Sequence, residues 1–336
     1  LLIEVNSMIT DAQEDGYNHY VGIGQIQKAA ALLDMTDWWG SIPYTSAALG
    51  IEEVNPTFDS QESIYTEVFN LLASGSTNMA LNDGGFPVRN DDVIYGGDTS
   101  KWIKVANAIK ARAHLHLGQY AEALAAAKAS FTSQDDNMTY TFGITQQAGW
   151  WRFNDGRLGD IEFHPHLRGI MTGLNDTDRL GVWDVTFNTS HPYLKPNYTQ
   201  AYISYREVQF IIAECLSRTN GSVAEMETAY LSGIKASFLE SGLTEAEYET
   251  YVAQAAVNPG GASLDLEDHI LTQKYIGLFI QPEVFNDLRR NDFPDITPTS
   301  GSQIPVRWNY SEFEILFNPN VPAGSTLFSP KNSWDN

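Results

Sequence analysis

Residues 34–65 read DMTDWWGSIPYTSAALGIEEVNPTFDSQESIY, and two features of this stretch predict how the chain folds. The first is the adjacent pair Trp38 and Trp39, which we interpret as lying on a polar loop because a glycine and a proline follow closely. The second is Ser60, which can accept a hydrogen bond from the first turn of a helix over about 60–73. The stretch therefore predicts an indole-bearing loop that ends at a capped helix.

Further segments repeat apolar residues at spacings of three and four, which indicates helices. One precedes the tryptophans, over about 19–36. Another runs from Asp98, which can cap its first turn, to Gly118, and a partner helix follows at once from Tyr120. A second pair is predicted over about 202–218 and 223–240. The fold class is therefore mainly α, built from helical hairpins similar to tetratricopeptide units.

Two long segments, 133–198 and 294–336, show no sustained helical period. Both are rich in turn-forming residues such as Gly, Asn, Asp, Pro and Ser, which predicts long irregular loops. We expect the first to be ordered, because it carries many aromatic residues, and the second to wrap the helices as extended chain. Together these features favour one domain over residues 1–336.

Composition excludes several classes of partner. The chain has 42 acidic and 20 basic residues and a formal net charge of -22, which repels phosphate backbones and anionic lipid. Nucleic acid is therefore not an expected partner, although acidity also serves solubility alone. Cys215 is the single cysteine and lies in the apolar run VQFIIAECL, which predicts a buried thiol and no disulfide. The sequence has no apolar run of about 18 residues that would span a membrane.

The two double tryptophans are the best candidates for ligand contacts. Indole rings present a flat apolar surface, and polar neighbours next to Trp150 and Trp151 could bond to sugar hydroxyl groups or to a peptide. The alternative is that these rings plug the ends of helical hairpins. The candidate ligand-binding residues are Trp38, Trp39, Trp150, Trp151, Arg152, Asn154 and Asp155. We expect the two loops to come together on one side of the scaffold.

Catalytic and metal sites are less well supported. Carboxylates are abundant, but sequence spacing cannot establish the pair that glycoside hydrolysis requires. In EFHPH, a strand would place Glu162, His164 and His166 on one face as metal ligands, whereas surface histidines in a polar loop explain the motif more simply. LNDTDRLG lacks the Gly and Glu of a calcium loop. We expect no enzyme activity, no cofactor and no metal.

Several motifs match one family. The helix after Asp98 matches a GGD..KW.K.AN....R pattern at Tyr95, Gly97, Asp98, Lys101, Trp102, Ala106, Asn107 and Arg112. A DWWGDVPY-like loop is matched by Asp37, Trp38, Gly40, Pro43 and Tyr44. Further matches are Tyr205, Glu207, Val208, Ala213, Glu214, Gln273, Lys274, Tyr275, Phe279, Arg289 and Arg290. Through these motifs the chain resembles the SusD/RagB family of surface nutrient-binding lipoproteins of Bacteroidetes, over nearly its whole length.

This resemblance implies a function in nutrient uptake. Members of the family are expected to cover a SusC-like TonB-dependent transporter in the outer membrane. They hold oligosaccharide or peptide for import and catalyse no reaction. It also implies a cell-surface lipoprotein that contacts the membrane only through a lipid anchor, so we expect an N-terminal segment with a signal peptide and a lipidation cysteine to precede Leu1. The alternative is a helical-repeat lipoprotein that binds peptide or assembles with another protein.

Overall fold

The structure is mainly helical, as predicted. The computed structural model describes residues 2–47, 49, 53–83, 86–143, 145–185, 191–298 and 301–335. Within these residues the α-helices are α1 (Leu2–Asp15), α2 (Asn18–Trp39), α3 (Gln61–Ala80), α4 (Thr99–His116), α5 (Tyr120–Lys128), α6 (Gly149–Gly156), α7 (Pro165–Gly173), α8 (Thr177–Trp183), α9 (Tyr205–Arg218), α10 (Val223–Glu240), α11 (Glu245–Val252), α12 (Thr272–Gly277), α13 (Glu283–Asn291) and α14 (Glu312–Phe317). A π-helix over Leu266–Leu271 leads directly into α12.

The described strands form two short antiparallel ladders. Strand β1 (Ile42–Pro43) pairs with β2 (Phe58–Asp59), and β3 (Met138–Thr141) pairs with β4 (Thr199–Ile203). The sheet content is small, so packing between helices supplies most of the core.

The chain divides into two compact units. The first comprises Leu1–Gln119 and Phe285–Asn336, and the second comprises Tyr120–Val284. In the first unit α1, α2, α3 and α4 pack as successive neighbours. In the second unit α9 packs against α5 and α10, and α10 packs against α11. α4 and α5 lie on either side of the boundary between the units. Their predicted pairing therefore remains a prediction, and so does the single-domain arrangement.

Close contact between α2 and α3 depends on glycine. A Cβ atom at Gly22 would lie 2.9 Å from the carbonyl oxygen of Gly75, and one at Gly75 would lie 2.8 Å from the side chain of Ile26. The predicted cap is present, because the Ser60 side chain accepts a hydrogen bond from the backbone N–H of Ser63 at 3.2 Å. α3 nevertheless continues past residue 73 to Ala80, because its last turns are held against α2.

In the second unit Cys215 is fully buried, which confirms that prediction. The helix predicted over about 202–218 begins later, at Tyr205, because the preceding residues form β4. Its Ser204 caps the first turn by accepting from the N–H of Glu207 at 3.3 Å. The fully buried ring of Phe210 on this helix packs against Gly233 of α10 and Gly277 of α12.

The segment over 133–198 is less irregular than predicted. It contains β3 and the three helices α6, α7 and α8, which have only 8, 9 and 7 residues. Helices of about two turns are too short to display a sustained period of 3.6 residues, which is why the sequence suggested loops. The C-terminal segment agrees better, since among its described residues α14 is the one helix after Pro294.

Candidate functional site

Trp38 and Trp39 are the last two residues of helix α2, so the prediction that they lie on a loop is wrong. The helix runs three residues past its predicted end and closes when the N–H of Gly40 bonds to the carbonyl of Thr36 at 2.8 Å. Gly40 has φ +73°, a left-handed conformation that glycine adopts at little cost. Because adjacent side chains on a helix point about 100° apart, both indoles can contribute to one cluster.

A third indole, Trp308 of the C-terminal segment, completes this cluster. Its ring stacks on Trp38 with centroids 4.7 Å apart and planes 20° apart, and it meets Trp39 edge-on at 5.1 Å. The rings of Trp38 and Trp39 lie 5.9 Å apart at 63°. Trp308 is 46% exposed, whereas Trp38 and Trp39 are half-buried. Trp38, Trp39 and Trp308 are called the indole cluster below.

Main-chain hydrogen bonds hold the indole cluster in place. The N–H of Trp308 donates to the carbonyl of Trp38 at 2.7 Å, and the indole N–H of Trp39 donates to the carbonyl of Asn309 at 2.9 Å. The hydroxyl of Tyr310 donates to the carbonyl of Trp39 at 3.1 Å. The C-terminal segment therefore satisfies carbonyl groups that the end of α2 would otherwise leave without partners.

A charged side chain, Arg307, lies next to the indole cluster. The guanidinium of Arg307 donates to the carbonyl of Trp39 and lies 4.8 Å from the ring centre of Tyr310. These contacts place the indoles before any ligand arrives, so a ligand would not meet the entropic cost of ordering them. The exposed part of Trp308 is a flat apolar surface suited to the CH face of a sugar ring.

Trp150 and Trp151 also lie on a helix, α6, and not on the loop that the sequence suggested. Trp150 is 39% exposed and Trp151 is half-buried. Phe153 is 45% exposed, and the guanidinium of Arg157 lies 5.5 Å from its ring centre. This helix thus presents a second aromatic surface with a cation beside it, which sequence reasoning identified only in part.

The polar residues predicted around that surface divide into two groups. Arg152 and Asp155 are exposed on α6, where they can reach a ligand. Asn154 is only 2% exposed, so its side chain faces inward and does not contribute to the surface. Arg152 and Asp155 are three residues apart on the helix and therefore share a face of it. α2 and α6 belong to different compact units, so the expectation that both tryptophan pairs form one surface remains a prediction.

The EFHPH motif does not form the strand that would align its side chains. His164 precedes α7, and its ring nitrogen accepts a hydrogen bond from the N–H of His166 at 3.2 Å, which makes His164 the N-cap. Across the described residues there is no group of three or more His, Cys, Asp or Glu side chains placed to hold a metal ion. In the same part of the chain, no helix combines the length and apolar character needed to cross a bilayer.

The described residues thus form a helical scaffold with partly exposed aromatic surfaces, a kind of surface that binding proteins often present. A family model described as "Starch-binding associating with outer membrane", the SusD-like family, matches residues 2–190 and 183–311. The chain therefore belongs to the SusD-like family, a family of nutrient-binding proteins associated with the outer membrane. No curated protein matches the chain significantly.

Solved structures share this fold. A SusD/RagB family protein from Bacteroides thetaiotaomicron has 23% identity and a TM-score of 0.75, with 95% of this chain and 81% of that chain covered. A chitin-binding protein has 25% identity and a TM-score of 0.77, over 94% of this chain and 80% of that chain. A chitin-binding SusD homolog from Flavobacterium johnsoniae has 20% identity and a TM-score of 0.74, with 94% of this chain and 79% of that chain covered.

Proposed function

We propose that this chain is a non-catalytic oligosaccharide-binding protein of the cell surface and that the indole cluster is its ligand platform. The observation that carries this proposal is the half-exposed ring of Trp308, which is stacked on Trp38 and fixed by its own main chain. Contiguous exposed apolar surface, as opposed to a single exposed ring, often marks an interaction site. The surface of α6 around Trp150 is a second platform of the same kind.

Similar proteins support a particular class of sugar as the ligand. Two of the similar solved structures are described as chitin-binding, and one of them is 25% identical to this chain. Oligomers of N-acetylglucosamine are therefore the first ligands to test, followed by starch oligosaccharides because of the family description. The proposal includes a lipid anchor in the outer membrane and a SusC-like TonB-dependent transporter as the partner that imports the sugar.

Substitution of the exposed indole tests the platform. A stacked aromatic ring contributes roughly 1 kcal/mol beyond its buried area, so Trp308→Ala should weaken binding of N-acetylglucosamine oligomers by roughly five- to tenfold in calorimetry. Trp308→Phe retains a ring and should lose less. The matched control is Phe313→Ala, which removes a 77% exposed ring from α14. Equal affinity in Trp308→Ala and in the native protein, with the fold intact, would place the ligand elsewhere, and Trp150→Ala would then be tested.

One observation favours a protein partner as well. α14 exposes four large apolar side chains, Phe313, Ile315, Leu316 and Phe317, each more than half exposed. The rings of Phe313 and Phe317 lie 6.3 Å apart and nearly parallel, which makes a continuous apolar surface. We propose this surface as the contact with a protein such as the transporter. Loss of complex formation in the double variant Phe313→Ala and Phe317→Ala, with sugar binding retained, would support that role.

A further inference from the structure

Helix α14 exposes apolar side chains that the protein itself does not cover. No residue of α14 is buried. Phe313 is 77% exposed, Leu316 is 73% exposed and Phe317 is 71% exposed. A helix of a globular protein normally packs its apolar stripe against its own core. An apolar stripe that remains this exposed marks a surface that a partner covers.

The three most exposed side chains share one face of α14. They occupy positions i, i+3 and i+4, and at about 100° per residue Leu316, Phe313 and Phe317 span an arc of about 100°. Ile315 is 53% exposed and points to the opposite side of the helix. Apolar anchors at these spacings are typical of a helix that binds in a groove of another protein.

Capping and side-chain hydrogen bonds form this helix before any partner arrives. The Ser311 hydroxyl accepts from the N–H of Glu314 at 3.1 Å. The Asn318 side chain donates to the carboxylate of Glu314 at 2.7 Å and to the carbonyl of Pro56 at 2.9 Å. An isolated helix of six residues is unstable in water, so these bonds supply order that packing does not supply. A partner therefore does not meet the entropic cost of ordering α14.

Acidic side chains flank the apolar face. Glu312 and Glu314 lie about 100° to either side of Phe313 around the helix. The chain as a whole carries a formal net charge of -22. A partner groove with Lys or Arg along its rims would match both the local and the overall charge. Such complementarity speeds association and fixes the orientation of the helix in the groove.

The same charges disfavour two other occupants of this face. Helices that lie on membranes usually carry Lys and Arg beside their apolar face, and anionic lipid repels Glu312 and Glu314. A second copy of this chain is disfavoured as well. Its open groove of about 710 Å³ along α1 is lined by Asp11 and Asp15, whose carboxylates would repel those of α14.

We propose that α14 binds as a helix in an apolar groove of a partner protein and that basic residues line the rims of that groove. Phe313, Leu316 and Phe317 are the anchors, and Glu312 and Glu314 pair with the basic rims. This inference rests on the protein contact proposed for α14 above. It adds the face of the helix that binds and the charge of the partner.

Photo-crosslinking isolates the partner for the test. The full chain with benzoylphenylalanine in place of Phe313 is mixed with detergent-solubilised outer membranes of the source cells. The control carries the same group in place of Val93, an exposed residue of the same unit. A protein that crosslinks from position 313 and not from position 93 is then purified. Its affinity for the native chain and for each variant is measured by surface plasmon resonance.

The variants separate the faces of the helix. Leu316→Ala should weaken binding of the purified partner roughly tenfold or more, because a few anchors carry most of the energy of an interface. The matched control is Ile315→Ala, which removes a side chain of similar size from the opposite side and should change affinity by less than about twofold. Glu312→Lys should slow association, and raised salt should weaken binding of the native chain more than binding of this variant. Circular dichroism checks that each variant is folded.

Several results would overturn the proposal. Equal losses in Leu316→Ala and Ile315→Ala would show that no single face binds. Unchanged association of Glu312→Lys at low and high salt would show that the rims are not basic. These two results leave the protein contact itself in place. Retention of the complex by the double variant Phe313→Ala and Phe317→Ala, or no specific crosslink at position 313, would remove that contact as well. Binding to phosphatidylcholine vesicles, or self-association, that Phe313→Ala abolishes would identify a membrane or a second copy as the occupant instead.

Discussion

Replacement of Arg289 by alanine should be among the most destabilising single changes in the first unit. Its guanidinium donates to the carbonyl of Asp37 at 2.8 Å and to the carbonyl of Val306 at 2.7 Å. It lies 3.5 Å from the carboxylate of Asp335, and both side chains are almost fully buried, at 2% and 1% exposed. It also lies 4.6 Å from the ring centre of Trp334. Arg289 therefore bonds to a carbonyl in the last turn of α2 and lies next to a buried carboxylate.

The size of the effect follows from these contacts. Removing one partner of a buried ion pair costs about 3–5 kcal/mol, because the other charge is left without compensation. Burial raises the pKa of Asp335 and the Arg289 cation opposes that shift, so loss of the cation leaves a carboxylate that is harder to keep ionised. For a cooperative unit of about 150–250 residues, 1 kcal/mol corresponds to about 2–4 °C in Tm. Arg289→Ala should therefore lower the Tm by roughly 6–20 °C.

Thermal unfolding followed by circular dichroism measures this effect. Arg289→Lys keeps the charge but loses the planar fork that reaches two carbonyls, so it should recover only part of the loss. The control is Arg89→Ala, an exposed arginine in the same unit, which should change stability by about 0.5 kcal/mol or less. A Tm for Arg289→Ala equal to that of the control would refute the reasoning. If Arg289→Ala lost ligand binding and kept its stability, Arg289 would be a ligand-binding residue and not a structural one.

Three other predictions concern the second unit. Burial lowers the pKa of His191, whose ring bonds to the carbonyl of Trp183 at 3.1 Å. The neutral His191 side chain therefore contributes to stability above about pH 6.5, and this contribution is lost as pH falls toward the lowered pKa. His191→Gln should remove that part of the pH dependence of Tm. The buried thiol of Cys215 should react with a thiol reagent only after unfolding, and rapid labelling of the native protein would contradict this. Gly277→Ala places a Cβ atom 2.7 Å from Phe210 and should cost about 1–3 kcal/mol in chemical denaturation, a loss that Phe210→Leu should partly reverse.

Helices with strong local signals were predictable from the sequence. α10 was predicted over about 223–240 and is observed at Val223–Glu240, because Ser222 caps its first turn and its apolar residues keep a regular spacing. The Asp98 cap of α4 is likewise observed, with bonds from the N–H groups of Ser100 and Lys101. In these segments local propensity and tertiary packing favour the same structure.

Local signals failed where distant contacts decide the conformation. The last turns of α3 contain Gly75 and several polar residues, which weaken the helical pattern, yet Gly75 is what permits close approach to Gly22 of α2. The end of α2 is similar. The sequence DWWG suggests a loop, whereas donors from the C-terminal segment satisfy the helix-end carbonyls and so allow the helix to include Trp39.

The same limitation explains why sequence reasoning missed Trp308. Trp39 and Asn309 bond to each other although they are 270 residues apart, and hydrophobic periodicity is read in windows of about 11–18 residues. The only local signal was an indole flanked by Arg307 and Asn309 in a segment predicted to wrap the helices. Nothing near Trp308 in the sequence indicated a partner for its ring.

The way in which the C-terminal segment closes α2 also separates stability from ligand recognition. Trp308 contributes its backbone N–H to the carbonyl of Trp38, and Asn309 contributes its carbonyl to the indole of Trp39. Both bonds use main-chain atoms of the segment, so side chains at these two positions can change without removing them, with proline at position 308 as the exception. Trp308→Ala should consequently leave the end of α2 intact while it removes the exposed ring. If Trp308→Ala weakens sugar binding as proposed, the Tm of the variant should therefore stay close to that of the native protein.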